Sequence, residues 1–143
     1  MIAYLDSSVF LRLVLGQSDQ LAEWPEISEG VTSALSEVEC LRTLDRLRVQ
    51  RAVSDAVIAT RRETVFQFMR SVEIVETTRA VLERASLPLP TTLGTLDAIH
   101  VATALLWREL TATELVMATH DRGMARAARA CGLTVVGSEP EVH

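Results

Sequence analysis

Residues 1–10 read MIAYLDSSVF: an uninterrupted run, Ile2 to Leu5, stops on Asp6 and two serines. A short continuous apolar run fits a strand covered on both faces. A carboxylate at its end is costly to bury, so Asp6 must be solvated, hydrogen-bonded or paired with a cation. Either Asp6 or Ser7 caps the helix that follows, or Asp6 is one corner of a metal site.

Working outward, the spacing predicts a helix over 8–15, a turn at Gly16 to Asp19, and a strand near 31–33. A helix follows over 35–51, with Leu35, Val38, Leu41 and Leu44 as a stripe. Another begins at Ser54 and carries Val57, Ile58, Val65, Phe66 and Met69 to about Arg70. VEIVE suggests a strand at 72–75, and Thr77 or Thr78 caps a helix to Ala85. LPLPTTLG is a loop, Thr95 opens a helix to about Leu110, and a strand runs over 115–119. A helix over 122–130 stops at Gly132, and LTVVG is the last strand. Apolar strands alternating with helices imply an α/β fold: a three-layer α/β/α sandwich around a parallel sheet. One domain is expected over residues 1–143, with SEPEVH fraying as a tail.

The composition narrows the function. The chain carries a net charge of −5, which argues against a uniformly basic surface for nonspecific nucleic-acid binding. No window of apolar residues is long enough for a membrane span, and the N-terminus lacks the basic leader of a signal peptide. Cys40 and Cys131 match no metal-ligand spacing and read as free thiols of a reducing cytoplasm. All 14 basic residues are arginine. The absence of lysine excludes a Gly-Lys phosphate loop and a lysine-dependent receiver site. No Gly-x-Gly-x-x-Gly follows the first strand, which disfavours a dinucleotide binder. A dehalogenase-like phosphatase needs Asp-x-Asp, and Ser8 stands in the second place.

Six aspartates occur, and three stand at element ends: Asp6 and Asp121 after strands, Asp97 at the start of the long helix. Each has a bland explanation as a cap or a dipole partner. Together they can converge on one rim, because chemistry in open parallel sheets gathers at the carboxyl ends of the strands. Clustered carboxylates repel one another unless a cation neutralises them, and hard Mg²⁺ or Mn²⁺ suits oxygen ligands. Such an ion supplies the chemistry of phosphodiester hydrolysis. Periodicity does not choose between Glu37 and Glu39, which both flank the apolar stripe. His100, one turn after Asp97, fits a buried hydrogen-bonded histidine better than a ligand, and His120 should point away from the site. Neither is assigned a role. Arg122, Arg126 and Arg129 share one helix face and suit either an RNA backbone or plain solvent. Arg42 suits either the orientation of Glu39 or cover for the core edge.

YLDSSVFLRL, TSALSEVECLR, TLDAIHVATAL and ATHDRGMARAARACGL resemble, in order and spacing, the four motifs of PIN-domain ribonucleases, above all the VapC-like toxins of bacterial toxin–antitoxin pairs. The resemblance runs from Ile2 to about Val136. It implies catalytic, metal-binding acids at Asp6, Glu39, Asp97 and Asp121, and site-lining hydroxyls at Ser8 and Thr119. It implies a Mg²⁺- or Mn²⁺-dependent endoribonuclease in the cytoplasm, with tRNA or ribosomal RNA as a plausible substrate. It also implies a homodimer and a small antitoxin, for which the helix Ser54–Arg70 offers half of a groove. The alternative is a non-catalytic PIN-fold module that binds RNA or protein without cutting.

Overall fold

In β1 (Ile2–Leu5), alternate side chains leave the strand in opposite directions, and all but the first are buried. Ala3 and Leu5 enter one apolar cluster, whereas Tyr4 enters a second on the other face. A strand buried on both sides needs a helical layer on each, which sets the architecture. The computed structural model describes residues 1–51 and 53–142; His143 of the expected tail lies outside the described residues. Five parallel strands, β1, β2 (Glu29–Ser33), β3 (Glu73–Val75), β4 (Val116–Ala118) and β5 (Thr134–Val136), lie in the order β3-β2-β1-β4-β5. The chain forms an α/β/α sandwich, as its pattern predicts.

On one face lie α1 (Ser7–Val14), α2 (Ala34–Arg51) and α3 (Asp55–Ser71). Their Phe10, Cys40, Leu44, Val65 and Met69 close over Ala3 and Leu5. The opposite face carries α4 (Arg79–Ala85), α5 (Thr95–Thr111) and α6 (Arg122–Ala130). There Val101, Leu105, Trp107, Met124 and Ala128 close over Tyr4, Val31 and Met117. Among the described residues no helix is long and apolar enough to cross a membrane.

The helix boundaries follow local chemistry. Ser54 caps α3 by accepting from the Val57 N–H, and Thr78 caps α4 by accepting from that of Val81. Gly132, at φ +84°, ends α6. Its N–H meets the Arg129 carbonyl and that of Leu133 the Ala128 carbonyl, a Schellman closure that favours glycine. One expectation fails in detail. The buried line of α2 is Ser36, Cys40 and Leu44, and Val38 from the expected stripe is 57% exposed. The small side chains of Ser36 and Cys40 let the helix lie close to the sheet. A single 3₁₀ turn at Trp24–Glu26, with Trp24 stacked on Phe68, also went unread, being too short to show a period.

The strand order reverses around β1, which pairs with β2 on one side and β4 on the other. In sheets of this kind the reversal opens a crevice beyond the carboxyl ends of the two diverging strands. Here those ends lead into Asp6 and into Thr119–Asp121.

Leu44, fully buried under β1, tests the packing. Leu44→Ala should lower stability by about 2–4 kcal/mol in urea unfolding with a nearly unchanged slope. A loss below about 1 kcal/mol would contradict the tight α2–sheet contact.

Candidate active site

Asp6 is only 3% exposed, and its side chain does not cap α1. Its Oδ2 instead accepts from Ser8 Oγ at 2.7 Å and from Thr119 Oγ1 at 2.9 Å. The two hydroxyls come from opposite sides of the reversal, Ser8 from α1 and Thr119 from the end of β4. They are knitted further by backbone. The His120 N–H donates to Ser8 Oγ at 3.0 Å, and the Asp121 N–H donates to Thr119 Oγ1 at 3.0 Å. The resemblance placed both hydroxyls at the site; the structure puts both on Asp6.

Glu39 and Glu37 are separated by what they meet. Glu39 lies on the side of α2 that reaches over the end of β1, and its Oε1 forms a short hydrogen bond with His100 Nε2. The helix is tied there at its start: Thr32 Oγ1 donates to the Leu5 carbonyl at 2.6 Å and lies 2.7 Å from Ser36 Oγ. Arg42, a candidate to orient Glu39, pairs with Asp45 at 3.2 Å instead. His100 is fully buried on α5, with Nδ1 2.6 Å from the Tyr4 hydroxyl and Nε2 4.0 Å from Asp6 Oδ1. The sequence anticipates a buried, hydrogen-bonded histidine here, but not its partners, Tyr4 and Glu39. Ala98 to Leu105 is apolar nearly all round, which is why a histidine within it is buried and bonded.

Asp97 stands in the first turn of α5, where the helix dipole favours a negative charge. Among the described residues no hydrogen bond reaches its carboxylate. Asp121 takes the capping role that was open to it. Its Oδ1 caps α6, accepting from the Met124 N–H at 2.7 Å, while the residue stays exposed at the rim. Asp121, Asp6 and Glu39 each lie close enough to Asp97 to act on it electrostatically. No three His, Cys, Asp or Glu side chains among the described residues form a ready-made ligand cage.

The basic helix face is divided. Arg126 is held by Glu141, its Nε 3.0 Å from Oε2, and Arg129 donates to the Ser138 carbonyl. Both acceptors belong to the segment expected to fray. Arg122 lines a groove with Arg12 and His120. The His120 ring turns towards β5, with Nδ1 2.8 Å from the Gly137 carbonyl. Gly137 itself sits at φ +88°, and a Cβ there would lie 2.8 Å from the Thr119 carbonyl oxygen. Glycine thus permits the close crossing behind the site.

A family model described as the PIN domain matches residues 3–130. The comparison with curated proteins gave no match. Among solved structures the chain is similar to "Structure of FitAB bound to IR36 DNA fragment", with TM-score 0.73, 16% identity, and 100% of this chain and 99% of that one covered. It is similar to a toxin–antitoxin complex from Klebsiella pneumoniae, with TM-score 0.67, 17% identity and coverage of 94% and 95%. VapBC2 from Rickettsia felis, bound to a DNA fragment from its promoter, gives TM-score 0.61, 12% identity and coverage of 94% and 97%. At these identities the likeness is one of fold.

The charges at the rim show strain of an electrostatic kind. Burial, then the negative charges of Asp121 and Asp6, push the Asp97 carboxyl above its ordinary 3.8. Burial works against protonation of His100, but the Glu39 hydrogen bond and the Asp6 and Glu39 charges prevail and hold it above 6.5. Burial pushes the Cys40 thiol up to about 12, so it is no nucleophile at neutral pH. Asp97 and His100 both bind protons more tightly folded than unfolded. Metal-free protein should therefore lose stability as pH rises, from 3.8 upward through Asp97 and from 6.5 upward through His100. In chelator-treated protein the urea midpoint should fall as the pH rises above 6.5. His100→Gln should flatten that fall, and a midpoint rising there would contradict the assignment.

Proposed function

The chain belongs to the PIN-domain family, and from that premise we propose that it is a metal-dependent endoribonuclease acting as the toxin of a toxin–antitoxin pair. The observation that carries the reading is the gathering of three other acids about Asp97 at the rim. Acids from the ends of β1 and β4, from α2 and from α5 gather about Asp97, whose carboxyl is pushed up first by burial and then by the charges of Asp121, Asp6 and Glu39. All four offer hard oxygen donors, the chemistry that Mg²⁺ or Mn²⁺ prefers over softer metals. A closed protein cage is not required. Mg²⁺ keeps several waters and is held through one or two carboxylates plus substrate phosphate.

Asp6, with its Oδ2 fixed by Ser8 and Thr119, is the rigid member of the ligand set, and Glu39, Asp97 and Asp121 complete it. The bound ion would supply a water of lowered pKa and would compensate charge on the phosphate. The chain's own contribution is placement. Ser8 and Thr119 hold Asp6 from both sides of the crevice, and the Met124 N–H fixes one Asp121 oxygen and leaves the other for the site. Arg122, beside the site, suits the RNA backbone, whereas Arg126 and Arg129 are engaged by residues 138–141. No covalent intermediate is needed, and the whole chain works as one domain.

The substrate of this reading is a single-stranded segment of a structured RNA, tRNA or ribosomal RNA. The antitoxin would lie in a groove of about 450 Å³ between α1 and α3, bordered by Val14, Leu15 and Val57. Val57 is 40% exposed, an apolar side chain that a partner helix would cover. A homodimer in the cytoplasm completes the picture. Exposed Leu82, Leu87 and Leu96 about α4 and α5 suit self-association.

RNA cleavage by the purified chain should require Mg²⁺ or Mn²⁺ and stop with chelator. Asp97→Asn should lower the rate by about 10²-fold or more. The same change should raise the metal-free urea midpoint, because it removes the repelled charge. Chelator-resistant cleavage, or a fully active Asp97→Asn, would defeat the nuclease reading. RNA bound equally well by both proteins and cut by neither would favour the non-catalytic module.

A further inference from the structure

Three elements meet in a buried bridge behind the acids. Tyr4, on β1 two residues before Asp6, is fully buried, and its hydroxyl lies 2.6 Å from His100 Nδ1. The two rings meet edge to face, at 5.9 Å between centroids and 71° between planes. His100 Nε2 then bonds Glu39 Oε1, whose side chain is 24% exposed, so the bridge runs from the core to the rim. A carboxylate can only accept, so the Nε2–H donates to Glu39 whichever way the proton lies across Nδ1 and the Tyr4 hydroxyl. α2 offers Glu39 no basic partner of its own, because Arg42 is turned to Asp45. β1 therefore brings Asp6 and Tyr4, α5 brings Asp97 and His100, and the two buried rings tie Glu39 to both elements.

Resting on the nuclease reading above, we infer that Tyr4 and His100 are positioning residues that set the Glu39 carboxylate for metal binding. A freely rotating glutamate would lose rotamer entropy on binding an ion, and a hydrogen bond from a group that cannot itself move removes that cost beforehand. The buried bridge also explains why Glu39, and not Glu37, is the acid of α2 that serves.

The test is calorimetric titration of the full chain with Mn²⁺ alone, with RNA cleavage measured in parallel and folding checked by urea unfolding. His100→Phe keeps a ring but removes both nitrogens, and should weaken Mn²⁺ binding by about 10–100-fold. His100→Gln, whose amide can still donate to Glu39, should recover most of that loss. Tyr4→Phe removes one hydroxyl, should weaken binding several-fold, and carries the test if His100→Phe does not fold. In a Glu39→Gln background His100→Phe should cost nothing further, because the effect passes through Glu39. The inference is overturned if Tyr4→Phe and His100→Phe bind Mn²⁺ like the wild type while Glu39→Gln does not. It is also overturned if the losses simply add. Wild-type protein that neither binds Mn²⁺ nor cuts RNA defeats the nuclease reading itself, and this inference with it.

Discussion

A negative charge almost out of water at the end of the central strand is the constraint around which the molecule is arranged. Asp6 keeps its carboxylate there because hydroxyls from α1 and from the end of β4 donate to the same oxygen. Without them the desolvation cost would fall on the one point where β1, α1 and β4 meet. The hydrogen bonds that make the charge tolerable also fix the distance across the crevice. Local stability and the geometry of the site are thus one set of contacts.

Much of this was legible because the local signals agree. Apolar runs bounded by turns marked β1 and β4, and serine or threonine before a periodic segment marked the starts of α3 and α4. The strand-end positions of Asp6 and Asp121 followed from the alternation of strands and helices alone. Other features depend on contacts between distant segments. Glu37 and Glu39 are equivalent along α2 until His100, 61 positions later, meets one of them. Val38 looked like core by spacing, but the sheet accepts the line of small residues beside it. Arg126 and Arg129 looked like a free basic face; only the folded chain brings Glu141 and Ser138 to them.

For Asp121, a capping role is compatible with the metal-binding role proposed for it. One oxygen caps the start of α6, and that bond orients the carboxylate at the rim. The same economy holds for α5, whose N-terminal dipole offsets part of the charge on Asp97 while its buried interior carries His100. Burial and neighbouring acids still press on Asp97 and hold its carboxyl above the ordinary value.

The central position of β1 has a consequence for biosynthesis. Its partner β4 lies near the far end of the chain, and the Asp6–Thr119 contact spans 113 positions. Such long-range closure is slow, and the sheet cannot be completed before its late strands are made. A growing polypeptide on the ribosome therefore carries Asp6 long before it owns the hydroxyl and the carboxylate that complete the rim. The acids stay apart until nearly the whole molecule has been translated, a delay that follows from the strand order.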